Sequence, residues 1–103
     1  MSERMVAAYW KVKPGAEDEF IKRWREFTGW TMDNVPGAKS FTLLHNEVDT
    51  QYFISHGTWT DQASIEAWFE MPGFQERYAR ARELCDEQIG AIHTIEAVLA
   101  PVA

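Results

Sequence analysis

Residues Arg4 to Val12, RMVAAYWKV, form a nearly unbroken apolar run ended by Lys13, Pro14 and Gly15, which predicts a strand stopped by a turn. Helical spacing follows. Phe20, Trp24 and Phe27, flanked by Ile21, make one apolar stripe. Glu17, Asp18 and Glu19 in its first turn, with Lys22, Arg23 and Arg25 later, complement the helix dipole and allow Asp18–Lys22 and Glu19–Arg23 pairs. After Pro36 and Gly37, KSFTLLH (Lys39–His45) and QYFISHGTW (Gln51–Trp59) predict an antiparallel hairpin turning near NEVDT. Thr60 or Asp61 is placed to cap a short helix that Pro72 and Gly73 break. A further helix carries Phe74, Tyr78, Ala81 and Cys85 on one face, and IGAIHTIEAVL (Ile89–Leu99) predicts a last strand.

Strand, helix, strand, strand, helix, strand is the ferredoxin-like α+β order, a four-stranded antiparallel sheet with its helices on one face. A single domain over residues 1–103 is expected. Parity sends Val6, Ala8, Trp10 and Val12 to one side of the first strand and Met5, Ala7 and Tyr9 to the other. In the hairpin Phe41, Leu43, Phe53 and Trp59 oppose Leu44, Tyr52 and Ile54. Both faces are apolar, and the helices cover only one. The expected second cover is another copy of the chain, sheet against sheet, in a two-fold dimer.

Charge narrows the partners. Ten basic against sixteen acidic residues leave a formal net charge of -6, which repels phosphate backbones and anionic membrane surfaces. Neither nucleic acid nor membrane is an expected partner, and no apolar run is long enough to span a bilayer. Cys85, the lone cysteine, continues an apolar stripe and reads as a buried inert thiol, consistent with a cytoplasmic protein. Arg77, Arg80 and Arg82 among Glu76, Glu83, Asp86 and Glu87 read as solvated surface. His45, His56 and His93 lack a metal-ligand spacing, so no metal is expected. His56 has two readings, a proton acceptor near neutral pH or a polar residue at the dimer interface.

The segment WTDQASIEAW is unusually apolar for a short helix and its lead-in. On a helical wheel Ala63 and Ala67 share one side, which would allow close approach to the sheet and direct Trp68 and Phe69 toward other elements or a cavity. Trp59 divides between core packing and a pocket wall in the same way. Tyr78 reads as a rim tyrosine or as a hydrogen-bond donor to a substrate oxygen.

VKPGAEDEFIKRW, VPGAKSFTLL and GTWTDQASIEAWFEMPGF together resemble the antibiotic biosynthesis monooxygenase domains of the dimeric α/β-barrel superfamily. The resemblance implies that fold, a homodimer, and oxygenation of electron-rich aromatics without metal or flavin, dioxygen being the co-substrate. Such chemistry needs a dry, aromatic-walled cavity with polar groups that favour an anion. Small Ser55 and Gly57 between bulky Phe53 and Trp59, with small Ala8 on the first strand, leave volume for one. In the polyketide-oxidising branch a polar amide stands four residues before the strand-ending tryptophan; here that place holds Ser55, while Trp59 is kept. The haem-degrading pattern of asparagine, tryptophan and histidine falls on Ala8, Trp68 and Tyr78, so only the tryptophan survives and haem is not expected. The resulting expectation is a cofactor-independent monooxygenase of a phenol, quinol or polyketide-like molecule. Ser55, His56 and Tyr78 are its catalytic candidates, and Trp59, Trp68, Phe53, Ala8 and Phe74 line the substrate. A non-catalytic ligand-binding or stress-response dimer is the alternative, and haem degradation a third reading.

Overall fold

The computed structural model describes residues 4–101, so residues 1–3 and 102–103 lie outside the described residues. Seven elements follow one another: β1 (Arg4–Val12), α1 (Glu17–Asn34), β2 (Ala38–His45), β3 (Tyr52–Trp59), α2 (Gln62–Glu70), α3 (Pro72–Arg82) and β4 (Cys85–Thr94). The sheet order is β2-β3-β1-β4 with every pairing antiparallel, which is the ferredoxin-like fold. Gly15 and Gly37, at φ +86° and +100°, make the turns into α1 and β2, where a side chain would be strained. No helix among the described residues is long and apolar enough to cross a membrane.

Register fixes what each face carries. Leu43, Ser55, Ala8 and Gly90 lie opposite one another across all four strands on the helix side, and Phe41, Gly57, Val6 and Ile92 form the next row. On the open side the rows are Leu44, Ile54, Tyr9, Ile89 and Thr42, His56, Ala7, Ala91. The two-sided apolar reading of β1 and the hairpin therefore describes the sheet as it stands.

The last strand is placed differently from expectation. It begins at Cys85 and ends at Thr94, rather than running from Ile89 to Leu99, because a strand extends only where a neighbour offers hydrogen bonds. β1 supplies them from Val12, opposite Cys85 across a bulge, to Arg4, opposite Thr94. Cys85 accordingly opens β4 instead of continuing the stripe of α3, which stops at Arg82. The alanine side of α2 also departs from expectation: Ala63 and Ala67 are exposed, and Ile65 and Trp68 turn inward. Two large side chains bury more apolar area than two methyl groups, so they decide which way the helix faces. Close approach is provided by Gly37 instead, where an added Cβ would lie 2.4 Å from Ser64 Oγ.

Local signals elsewhere act as their chemistry suggests. The Asp61 carboxylate accepts a 2.8 Å bond from the Ser64 amide and caps α2, and this bond lowers its pKa. Arg23 pairs with Glu19 at 3.1 Å and reaches Glu83 at 3.2 Å, tying α1 to the end of α3. Arg77 lies over the Trp30 ring at 4.6 Å, while Arg80 pairs at 4.0 Å with Glu26.

Two groups of buried side chains fill the helix side. One joins Trp10, Val12, Phe20 and Phe53, and the other joins Phe27, Val35, Trp59, Ile65 and Trp68. Phe41 touches both from the edge strand, and its ring lies over Gly57, where an added Cβ would be only 2.5 Å away. Gly57→Ala should push that ring off Trp59 and Trp68 and cost about 1–3 kcal/mol, measured by urea unfolding.

Candidate active site

Between the sheet and its helices lies a cavity of about 330 Å³, within the usual range for a small-molecule site. Its floor includes Val6, Ala8, Ser55, Gly57, Gly90 and Ile92, where small Ala8, Ser55 and the two glycines leave the sheet low, and Trp10 and Phe41 also reach it from the sheet. Above it stand Trp24 and Phe27 from α1, Trp68 and Phe69 from α2, and Phe74 and Tyr78 from α3. No Asp, Glu, Lys or Arg among the described residues lines it.

The ceiling is held by its own contacts. Trp68 stacks on Phe27 with centroids 5.4 Å apart and planes at 12°, and meets Phe74 edge-on at 4.7 Å. Its indole N–H donates to Thr31 Oγ1 at 3.0 Å, and that hydroxyl donates to the Phe27 carbonyl at 2.9 Å. Thr31 is fully buried. The apolar character of α2 has a double cause: Ile65 fills core, and Trp68 is at once core and cavity wall.

The polar groups are few. Trp10 Nε1 donates to Ser55 Oγ at 2.9 Å, so the serine oxygen is oriented and its own proton remains free to turn to another acceptor. Tyr78 O–H donates to Gln88 Oε1. Desolvation raises the Tyr78 pKa above the usual phenol value, and the ring stays protonated at neutral pH. Burial, with Asp86 nearby, likewise pushes the Cys85 thiol up to about 11, so it is not a nucleophilic thiolate near neutrality.

The structure brings Ala8, Ser55, Trp68, Phe74 and Tyr78 together around one space. His56 borders the floor between Ser55 and Gly57, but the pleat gives its side chain the face of Ile54 and Thr58, beside Ala7 and Thr42. Trp59 lies behind Trp68, 4.8 Å between centroids and 1% exposed, outside the lining; its indole N–H has no partner among the described residues. Phe53 also lies outside it, stacked on His45 at 4.0 Å, and borders a second cleft of about 400 Å³ beyond Trp24 and Phe41. No group of three His, Cys, Asp or Glu among the described residues is arranged to hold a metal ion.

Gln88 is a polar lining group that sequence reasoning missed. Opposite Trp10 on β4, it shares the helix-side parity of Gly90 and Ile92. Starting the strand at Ile89 left it in a connecting loop, and only the pairing with β1 reveals its direction.

The sequence profile of the antibiotic biosynthesis monooxygenases matches residues 4–80, which covers the floor on β1 and β3 and every helix of the ceiling. The chain belongs to this family. Among solved structures, the antibiotic biosynthesis monooxygenase fold found here superposes on SnoaB, a cofactor-independent oxygenase from Streptomyces nogalater. The TM-score is 0.88 at 21% identity, covering 98% of this chain and 100% of that one. PA3566 from Pseudomonas aeruginosa superposes with a TM-score of 0.76 at 18% identity, over 94% of this chain and 97% of the other. At these identities the likeness is one of fold. An uncharacterised Synechocystis protein, sll1783, is 28% identical over 80 residues, 78% of this chain; the chain spans about half the length of that relative, 54%.

The ceiling gives a direct test. Thr31→Val should leave the buried Trp68 N–H unsatisfied and cost about 1–3 kcal/mol in urea unfolding, with a shift in tryptophan emission as Trp68 loosens.

Proposed function

We propose that this family member is a cofactor-independent monooxygenase of an electron-rich aromatic molecule, a phenol, quinol or anthrone-like ring. The observation that carries the reading is the cavity itself: aromatic rings over a floor with small residues, no charged side chain among the described lining residues, and a few uncharged hydrogen-bonding groups, chiefly Ser55, Tyr78 and Gln88. The family membership and the SnoaB fold agree with it.

In this reading the substrate supplies the electrons. Loss of a phenolic or benzylic proton gives a delocalised anion, which passes one electron to dioxygen. The radical and superoxide combine to a carbon-bound peroxide, and loss of water leaves a new carbonyl. One dioxygen becomes one ring carbonyl oxygen and one water, and a CH₂ carbon is oxidised to C=O without an external reductant. Ser55 contributes its free O–H to the developing oxyanion, while Trp68 and Phe74 hold the ring plane. His56, facing the other side of the sheet, takes no part in it.

Dithranol, an anthrone with two phenolic hydroxyls, serves as the probe. Oxygen uptake should exceed the spontaneous rate, one dioxygen per anthraquinone formed, and isotopically heavy dioxygen should label the product carbonyl. Product formation that continues without oxygen excludes this chemistry.

The active particle in this reading is a homodimer closed over the open sheet face. Leu44, Ile54, Tyr9 and Ile89 form a continuous row there, 49%, 37%, 60% and 71% exposed, and the next row is small at Ala7 and Ala91, which lets a second sheet approach. A lone half-buried thiol suits a reducing compartment such as the cytoplasm. Sedimentation should report a dimer at micromolar concentration and a shift toward monomer for Tyr9→Glu; a folded wild-type monomer with no self-association would remove the dimer.

A further inference from the structure

We propose that Gln88 is a specificity-determining residue of the cavity: one end of its amide holds the Tyr78 proton, and the other offers an N–H to a ligand oxygen. The inference rests on the cavity being a ligand site, as proposed above, and concerns which ligands it prefers.

A phenol has one proton. Tyr78 commits it to Gln88 Oε1, so toward the cavity the tyrosine oxygen presents lone pairs and acts as an acceptor. That reverses the second of the two roles read from the sequence, rim tyrosine or donor to a substrate oxygen. The same bond fixes the amide plane, since Oε1 must point to the tyrosine and Nε2 is carried the other way. Nε2 stands 3.0 Å from where a Cβ on Gly90 would be, so the glycine leaves open the space into which the amide projects. Gln88 and Gly90 both line the cavity, and Nε2 has no hydrogen-bond partner among the described residues.

Donor and acceptor thus sit side by side at the β4 end of an otherwise aromatic space. Ser55 does not duplicate the pair: it lies on β3, with β1 between it and β4, and its oxygen accepts from Trp10, so its O–H serves a different part of the floor. A ligand carbonyl or phenolate oxygen directed at β4 meets Gln88 N–H. An equally flat hydrocarbon meets nothing there and leaves the amide to water.

Matched acetyl- and ethyl-naphthalenes, which differ by an oxygen in place of two hydrogens, test this by quenching of tryptophan fluorescence. The readout is the ratio of their affinities. Gln88→Leu should lower the acetyl-to-ethyl ratio roughly 5- to 10-fold, the loss of one net hydrogen bond, while ethylnaphthalene affinity holds or improves. Gln88→Glu keeps an acceptor for Tyr78 but has no N–H, and should lower the ratio by at least as much; it also carries the test if the leucine variant fails to fold. An unchanged ratio, a parallel loss of both probes, or failure of both to bind the wild-type protein overturns the assignment. Turnover is not measured here, so a ratio that shifts in a protein inert toward dithranol would end the oxygenase reading and leave Gln88 in place.

Discussion

A cavity persists in so small a protein because large rings are braced against one another and cannot descend onto the sheet. Phe27, Trp68 and Phe74 make mutual contacts within about 6 Å, and the Trp68 N–H is pinned to Thr31 on α1. Across from them the row of Ser55, Ala8 and Gly90 offers too little side-chain volume to meet them. Packing usually closes such a gap, since unfilled apolar space is costly. Here each ring is held by several neighbours, and moving one would forfeit contacts to all. The volume is therefore a property of the whole helical layer rather than of any single residue.

The sheet separates two tasks by its pleat. Residues of one parity build the cavity entirely within a single chain; those of the other parity form the exposed apolar row through Tyr9 and Ile89. This division means that pairing of two chains is not needed to enclose the space. Walls, floor and polar groups are all present in one chain. A partner on the far side would buttress the floor from below, stiffening strands whose small residues give them little packing of their own, without contributing to the lining. His56 belongs to that second task by parity, and its nearness to Ser55 in sequence is no guide to nearness in function.

What the amino-acid order revealed was whatever depends on local periodicity. The strand-helix succession, the stripe Phe20, Trp24, Phe27 and the two-faced β1 follow from spacing of 3.6 or 2, and each appears in the structure. The errors came where a neighbour decides. The apolar stretch from Ile89 to Leu99 looks more like a strand than CDEQ does, yet β1 supplies hydrogen bonds to the latter and none beyond Thr94. Gln88 was lost with that misplaced boundary. Likewise the wheel of α2 could not say which of its sides meets the sheet, because Ala67 and Trp68 differ by one residue and only tertiary burial chooses between them.

The scarcity of charge in the cavity constrains the chemistry proposed for it. The raised pKa of Tyr78 shows that this environment penalises an oxyanion, chiefly through desolvation. The substrate anion of the proposed reaction would face the same penalty, with no lysine or arginine among the described lining residues to offset it. Two features reduce the cost: hydrogen bonds from neutral donors, which Ser55 and Gln88 can supply, and delocalisation, which spreads charge over a volume large enough that its desolvation is mild. A compact phenolate gains only the first. An extended ring system gains both, and its polarisable faces lie against Trp68 and Phe74. The same apolar walls therefore disfavour a localised anion and suit a delocalised one of the kind the proposed reaction needs, so in that proposal selection of substrate and activation of substrate become a single electrostatic requirement.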